Sequence, residues 1–448
     1  MRRQQTSRFV ICLVAGVISL IPAGIASAQS LNDALSMAYR TNPTIRAERA
    51  QFRATEELKA QAWAGALPQA TVSANIESLD QSNTSSFSGT ADIDIEPRAV
   101  LVNVEQPVFT GFRNLNSLKQ ARARVRAGGA RLISTEQGIL QNAADAYFQV
   151  VRDNAVYDVN LENVKVLLRQ QDEAALRFEV GEITKTDVAQ AEARLAGARA
   201  QLSAAQAQLA VSRARFKEIV GTAPGTLDGD PALPEIPESE EQAQNFARVY
   251  SPAVVAARET EEASRRQVAI AKGVLLPTVS LTARYQYAEE PSFFVDNDQQ
   301  FAYGAQASVP IFQGGLNYSR IREARALNDA DRQRIEEAER SVSANVTGAW
   351  EQLQAARATI RSARAQVEAN TLALNGVRRE NQVGARSTLD VLNAEQELLN
   401  ANVALANAKR DERSAVFGLL AVAGVLTLDS VSIPVEPGDA NVLPEGGD

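Results

Sequence analysis

The sequence predicts an α+β protein made of two similar halves, each holding a β-hairpin and one very long antiparallel helical hairpin. Three observations carry this: landmarks that recur in the same order in both halves, two proline-free runs of more than a hundred residues, and period-two segments lying between proline-containing stretches.

Ahead of these elements, residues 1–28 read as a signal peptide. Arg2, Arg3 and Arg8 precede an apolar run from Phe9 to Ile21, and Ala26-Ser27-Ala28 closes the segment. The run is shorter than the ~20 apolar residues that span a bilayer, so cleavage before Gln29 is expected. The one cysteine, Cys12, lies inside that run, so the mature chain has no disulfide, no thiolate chemistry and no cysteine to lipidate. The chain has no histidine, which removes the commonest general base, the Ser-His-Asp arrangement and the usual zinc ligand; no catalytic residue, metal or cofactor is expected. Loss of the three arginines moves the formal charge from −8 to −11 with no basic block, which disfavours nucleic acid as a partner.

The duplication is visible in paired landmarks. "TNPTIRAERA" at 41–50 is echoed by "YSPAVVAARE" at 250–259, "LPQATVS" at 67–73 by "LPTVSLT" at 276–282, "QPVFTGF" at 106–112 by "VPIFQGG" at 309–315, and "RFEVGEITKTDV" at 177–188 by "ENQVGARSTLDV" at 380–391. The first two pairs are 209 residues apart and the last two 203, so the halves differ by a length change in one loop. The first repeat is taken as 29–223 and the second as 244–427, joined by an acidic Pro-rich linker at 224–243 and followed by a flexible tail at 428–448.

In each repeat a helix starts at Asn42-Pro43 or Ser251-Pro252, a good N-cap residue before a proline at the first helical position. Strands follow at about 70–77 and 99–108, and again at about 278–288 and 301–310. The alternation is clearest in the second pair, where Val279, Leu281, Tyr303, Ala305 and Val309 alternate with polar residues. Four short strands expose edges that need partners. Alternation alone fits either a small sheet half-buried on a helix or a share of a membrane barrel built by several chains.

The proline-free runs supply the helices. The arms from about Leu115 to Phe178 and from about Asn317 to Asn381 have room for ~100 Å of helix at ~1.5 Å per residue. Gly128-Gly129 marks a bend or a close approach in the first arm, and Trp63 and Trp350 read as packing residues. Each arm ends in a tight tip, at about 180–187 and 383–390. Gly181 and Gly384 take the left-handed residue that stops a helix, Thr184 and Ser387 are N-caps, and Asp187 and Asp390 complete capping boxes. Beyond the first tip Val188, Leu195, Leu202, Leu209 and Phe216 recur every seven residues, with Ala191, Ala198, Ala205 and Ser212 alternating: a coiled-coil seam of large and small residues. The second tip repeats it with Val391, Leu398, Leu405 and Leu419 and the small Ala394, Ala401, Ala408 and Ala415.

On the order of these elements and on "RFEVGEITKTDV" and "VGARSTLDVLNAEQ", the mature chain resembles the TolC family of outer-membrane efflux and secretion channels. The resemblance implies an α+β membrane protein in which three chains share one 12-stranded outer-membrane β-barrel, four strands each, continued across the periplasm by a trimeric α-barrel. The segments "ESLDQSNTSSFSGTADIDIEP" and "AEEPSFFVDNDQQ" would then be extracellular loops, and the linker and tail would lie at a mid-tunnel girdle. It also implies the exit duct of a tripartite export system in a Gram-negative envelope, serving type I protein secretion, small-molecule efflux or both. The implied partners are two further copies, outer-membrane lipid, a periplasmic adaptor and an inner-membrane pump of the ABC or RND type. A periplasmic adaptor is the alternative, but it normally carries one hairpin and no duplication. The gate would sit at the tips: Asp187, Thr186 and Arg386 match the family's latch, and Asp390 matches a ring aspartate at the constriction. Asn381 stands where the family has a latch tyrosine and Asn393 where it has a second ring aspartate, implying one charge per chain and a looser latch.

Overall fold

The computed structural model describes residues 29–85, 89–292 and 295–431. The expected signal peptide and the tail from 432 onward lie outside them. The chain runs α1 (Leu31–Thr41), α2 (Pro43–Ala64), β1 (Gln69–Ile76), β2 (Leu79–Ser85), β3 (Gly89–Ile95), β4 (Arg98–Phe109), α3 (Arg113–Glu179), α4 (Lys185–Val220), then α5 (Glu240–Tyr250), α6 (Pro252–Gly273), β5 (Thr278–Ser292), β6 (Val295–Ser308), α7 (Leu316–Gln382) and α8 (Thr388–Val422). Helices α3 and α7 each have 67 residues, about 100 Å at ~1.5 Å rise. Among the described residues, no helix is long and apolar enough to cross a membrane.

One four-stranded antiparallel sheet has the order β1-β4-β5-β6, with β1 and β6 at its edges. Its register aligns the apolar positions of all four strands. Val72 faces Val102, Val102 faces Tyr285, and Tyr285 faces Phe301; the next row is Ala70, Val104, Ala283 and Tyr303. The opposite face carries Thr71, Asn103, Arg284 and Ala302, and Ser73, Leu101, Gln286 and Gln300. A continuous apolar side backed by a largely polar one is the pattern of a barrel wall with lipid outside and water inside.

The two segments expected as loops are not loops throughout. In the first repeat, β2 and β3 pair from Leu79↔Ile95 to Ser85↔Gly89 as a separate two-stranded sheet. In the second, "AEEPSFFVDNDQQ" continues β5 to Ser292 and begins β6 at Val295, leaving 293–294 outside the described residues. These stretches are rich in Ser, Asn, Asp and Gln, which read as loop although Ala91, Ile93 and Ile95 alternate with Asp92 and Asp94; cross-strand pairing satisfies the extended backbone. The added hairpin accounts for the six-residue difference between the 209 and 203 spacings.

Below the sheet, α2, α3, α6 and α7 lie side by side; further down, α4 packs on α3, α3 on α8 and α8 on α7. Gly128 sits inside an unbroken α3, where a Cβ would come 3.2 Å from Thr55 Cγ2 of α2, so this glycine serves close approach without breaking the helix. At the junction, a Cβ on Gly273 would lie 2.4 Å from the Gly111 carbonyl oxygen, so the α6 end and the β4–α3 turn meet backbone to backbone. Trp350 packs on the main core, but Trp63, expected as a packing residue, is 56% exposed in the single chain.

That core lies mid-length, where α1 covers α3 and α4 and α5 covers α7. Tyr147 and Phe148 of α3, Phe216 of α4 and Phe417 of α8 are fully buried there, worth about 1.5–3 kcal/mol each. The segment expected as a linker at 224–243 is strapped across this core up to residue 239, and its last residues instead begin α5 at Glu240. Tyr147 Oη lies 3.0 Å from the carbonyl oxygens of Gln29 and Asp228, with burial pushing its pKa up to about 12. Arg413, buried over the Phe148 ring, donates to the Gly229 carbonyl at 2.8 Å and pairs with Asp230. At the helix starts, Asn42 caps α2 by accepting from the Thr44 N–H at 2.9 Å, whereas Ser251 makes no side-chain cap bond and Pro252 alone opens α6.

Candidate gate at the hairpin tips

The two tips share the same turn closure and the same capping bonds. Gly181 has φ +79° and Gly384 has φ +75°; the Gly181 N–H donates to the Phe178 carbonyl and the Glu182 N–H to Arg177, matched by Gly384 to Asn381 and Ala385 to Glu380. This paired closure satisfies the last carbonyls of α3 and α7 and turns the chain within a few residues. Then Thr184 N–H and Oγ1 donate to Asp187 Oδ2 at 2.9 and 2.8 Å, while the Asp187 N–H donates back to Thr184 Oγ1. Ser387 and Asp390 repeat this at 3.0 and 2.8 Å. Hydrogen bonds from Thr184, chiefly its backbone N–H, hold the Asp187 carboxyl below its ordinary range. The Ser387 hydroxyl and N–H do the same for Asp390, with a smaller contribution from the Arg386 charge.

The seam after the first tip is buried at Ala191, Leu195, Ala198, Ala205, Leu209, Ser212 and Phe216. On α8 the buried arc is wider: Val391, Ala401, Ala408, Ala415 and Leu419 are joined by Leu392, Leu399, Val416 and Leu420, one position on. The reason is that α8 meets the other hairpin, through α3 and near the tip through α4, as well as its own partner α7.

That second arc carries the contacts between hairpins. Leu392, 2% exposed, packs with Leu167 of α3 and Leu195 and Ala198 of α4. Arg194 Nη2 donates to Asn393 Oδ1 at 2.9 Å, tying α4 to α8. Buried Glu395 pairs with Arg378 of its own hairpin and accepts from Gln170 Nε2 of the other at 3.3 Å. A cleft between the tips is lined by Gln170, Arg177, Ile183, Asn381 and Thr388.

Of the residues singled out from sequence, Asn393 is thus drawn to the opposite hairpin. In the single chain the others stay within their own tips. Arg386, matched to a latch between hairpins, instead donates through Nε to Glu380 Oε2 at 3.0 Å, and this partner raises its already high pKa. Asn381 Nδ2 donates to the Arg386 carbonyl at 2.8 Å, bracing the tip where the family pattern has a tyrosine. Thr186 is exposed, and among the described residues Asp187 bonds to Thr184 alone. Leu392, Arg194, Gln170, Arg378 and Glu395 were not singled out. The available signal was Leu392, an apolar residue directly after the seam position Val391 that makes the apolar face too wide for one partner. Among the described residues, no group of His, Cys, Asp or Glu could hold a metal ion.

Comparison with known proteins agrees with this architecture. A model of the outer membrane efflux protein family matches residues 34–222 and 245–425. The chain is 32% identical over 411 residues to the outer membrane efflux protein BepC of Brucella suis, covering 92% of this chain and 88% of that one. It is 28% identical over 417 residues to the outer membrane protein TolC of Vibrio cholerae, covering 90% and 92%. The crystal structure of the CmeC outer membrane channel of Campylobacter jejuni superposes with a TM-score of 0.77 at 16% identity over 88% of this chain and 85% of that one, a likeness of fold. The chain belongs to the outer membrane efflux protein family, the TolC family of outer-membrane channels.

Proposed function

We propose that three copies of this chain close into one duct, in which the four-stranded sheets make a twelve-stranded barrel and the long helices a tunnel closed at the hairpin tips. The observation that carries it is the sheet itself: an apolar face runs across all four strands, and β1 and β6 are open edges that a second and third copy can pair. A duct of this kind does no covalent chemistry. Its task is to stay shut until an adaptor and an inner-membrane pump dock on it, and it serves small-molecule export, type I protein secretion or both. Relatives include the alkaline protease secretion protein AprF of Pseudomonas aeruginosa, and family membership favours the duct over the adaptor alternative.

Within a chain, the hold on the closed state is the Leu392 contact, the Arg194–Asn393 bond and the Glu395 pairing. Between chains, it is Arg386 with Asp187 and Thr186 of a neighbouring tip, and Asp390 supplies the charge at the constriction. The test is single-channel conductance of the purified mature protein in a planar bilayer. We expect a small native conductance, larger events for Arg194→Ala and Arg386→Ala, and reduced cation selectivity for Asp390→Ala. A water-extracted protein with no conductance in any variant would overturn the duct.

A further inference from the structure

The lipid-facing side of the sheet does not end with the strands. Phe109 is in register with Val279 on that side, and its ring meets Phe112 edge-on with centroids 5.2 Å apart, which carries the same side onto the start of α3. Leu115, Lys119 and Arg122 then follow at helical spacing, all exposed. The duplication writes the pattern again: 203 residues on from each stand Tyr318, Arg322 and Arg325 of α7, also exposed.

Among the described residues none of these four cations is in an ion pair. Further along the helices pairing begins: Arg126, one turn past Arg122, meets Glu259 at 2.7 Å, and Arg332, two turns past Arg325, meets Glu261 at 3.5 Å. Lys119 and Arg122 lie ~6 and ~10 Å beyond Leu115 along the helix at ~1.5 Å per residue. The polar layer on each side of a bilayer's hydrocarbon core is roughly 5–8 Å deep, and Lys and Arg reach back toward it on apolar stems. The charges therefore fall at phosphate depth, next to the apolar belt that Leu115 and Tyr318 continue.

We propose that Lys119, Arg122, Arg322 and Arg325 form a collar that holds the phosphates of anionic phospholipid in the leaflet on the helical side of the barrel. This rests on the outer-membrane duct, so conductance of the same preparations separates failure of the collar from failure of the duct. The experiment is native mass spectrometry of the purified mature trimer, offered phosphatidylglycerol or phosphatidylcholine. Each basic residue near an anionic surface favours it by ~5-fold, so a native preference for phosphatidylglycerol of at least ~5-fold is expected, and it should vanish in high salt. Replacing all four by Gln should bring it to within ~2-fold, while the charge-keeping set Lys119→Arg, Arg122→Lys, Arg322→Lys and Arg325→Lys should retain it. Equal retention of the two lipids by the native trimer would overturn the proposal whether or not the variants fold. So would an unchanged preference in a conducting Gln variant, or displacement of the lipid by millimolar inorganic phosphate.

Discussion

Replacing Leu392 by Ala should open the duct without unfolding it. Leu392 is 2% exposed in a small cluster with Leu167, Leu195 and Ala198, far along α8 from the core around Phe417. A buried Leu→Ala change costs about 2–5 kcal/mol; with so few neighbours the lower end applies, so about 2 kcal/mol is removed from the docking of one hairpin on the other. At about 1.4 kcal/mol per tenfold, that shifts each chain's tip equilibrium ~30-fold toward the undocked arrangement. Single-channel recording should show larger or longer-lived openings than native. Thermal unfolding should move by only a few degrees, because the Tyr147, Phe148, Phe216 and Phe417 core is untouched. A lowered melting temperature with native conductance would mean that the contact is structural only, and the reasoning would fail.

Glycine changes should separate conformation from space. Gly384→Ala meets nothing within 4 Å but must hold φ +75°, costing about 1–2 kcal/mol at the tip, whereas Gly273→Ala drives a Cβ to 2.4 Å from the Gly111 carbonyl oxygen and should sharply lower trimer yield and melting temperature. Capping by Asp187 and Asp390 should respond to acid alone. Their folded pKa values lie below the unfolded carboxyl value near ~3.9, so their contribution is present above that pH and is lost as pH falls through the folded value. Hydrogen exchange at the first turns of α4 and α8 should therefore be flat from about pH 5 to 8, after correction for intrinsic rate, and lose protection only below about 4. Arg413→Ala removes a buried charged donor from the Gly229 carbonyl, a loss of roughly 1.5–3 kcal/mol, and should expose segment 221–239 to limited proteolysis while leaving the tips protected.

The tips were legible because their determinants are local. A glycine at positive φ, a Ser or Thr cap and an Asp three residues on specify the turn within eight residues, and the heptad seam of α4 needs one partner only. The long helices were legible from missing prolines, and the sheet from alternation. The β2–β3 hairpin escaped because its Ser, Asn, Thr and Gly residues read as a loop and outweigh the short alternation of Ala91, Ile93 and Ile95. The linker's attachment to Tyr147 and Arg413 escaped because those residues are 81 and 183–184 positions away from it in sequence.

Local chemistry in the sequence thus determined a duplicated chain of two hairpins and two long coiled coils with capped tips. Only the tertiary structure decided which surfaces meet. It put the apolar rows of four strands on one side, packed α8 against the other hairpin, brought Asn393 and Glu395 into inter-hairpin contacts, and kept Arg386 in its own tip. These choices depend on residues far apart in the chain, brought together by sheet register and helix packing, and no window of a few residues holds that information.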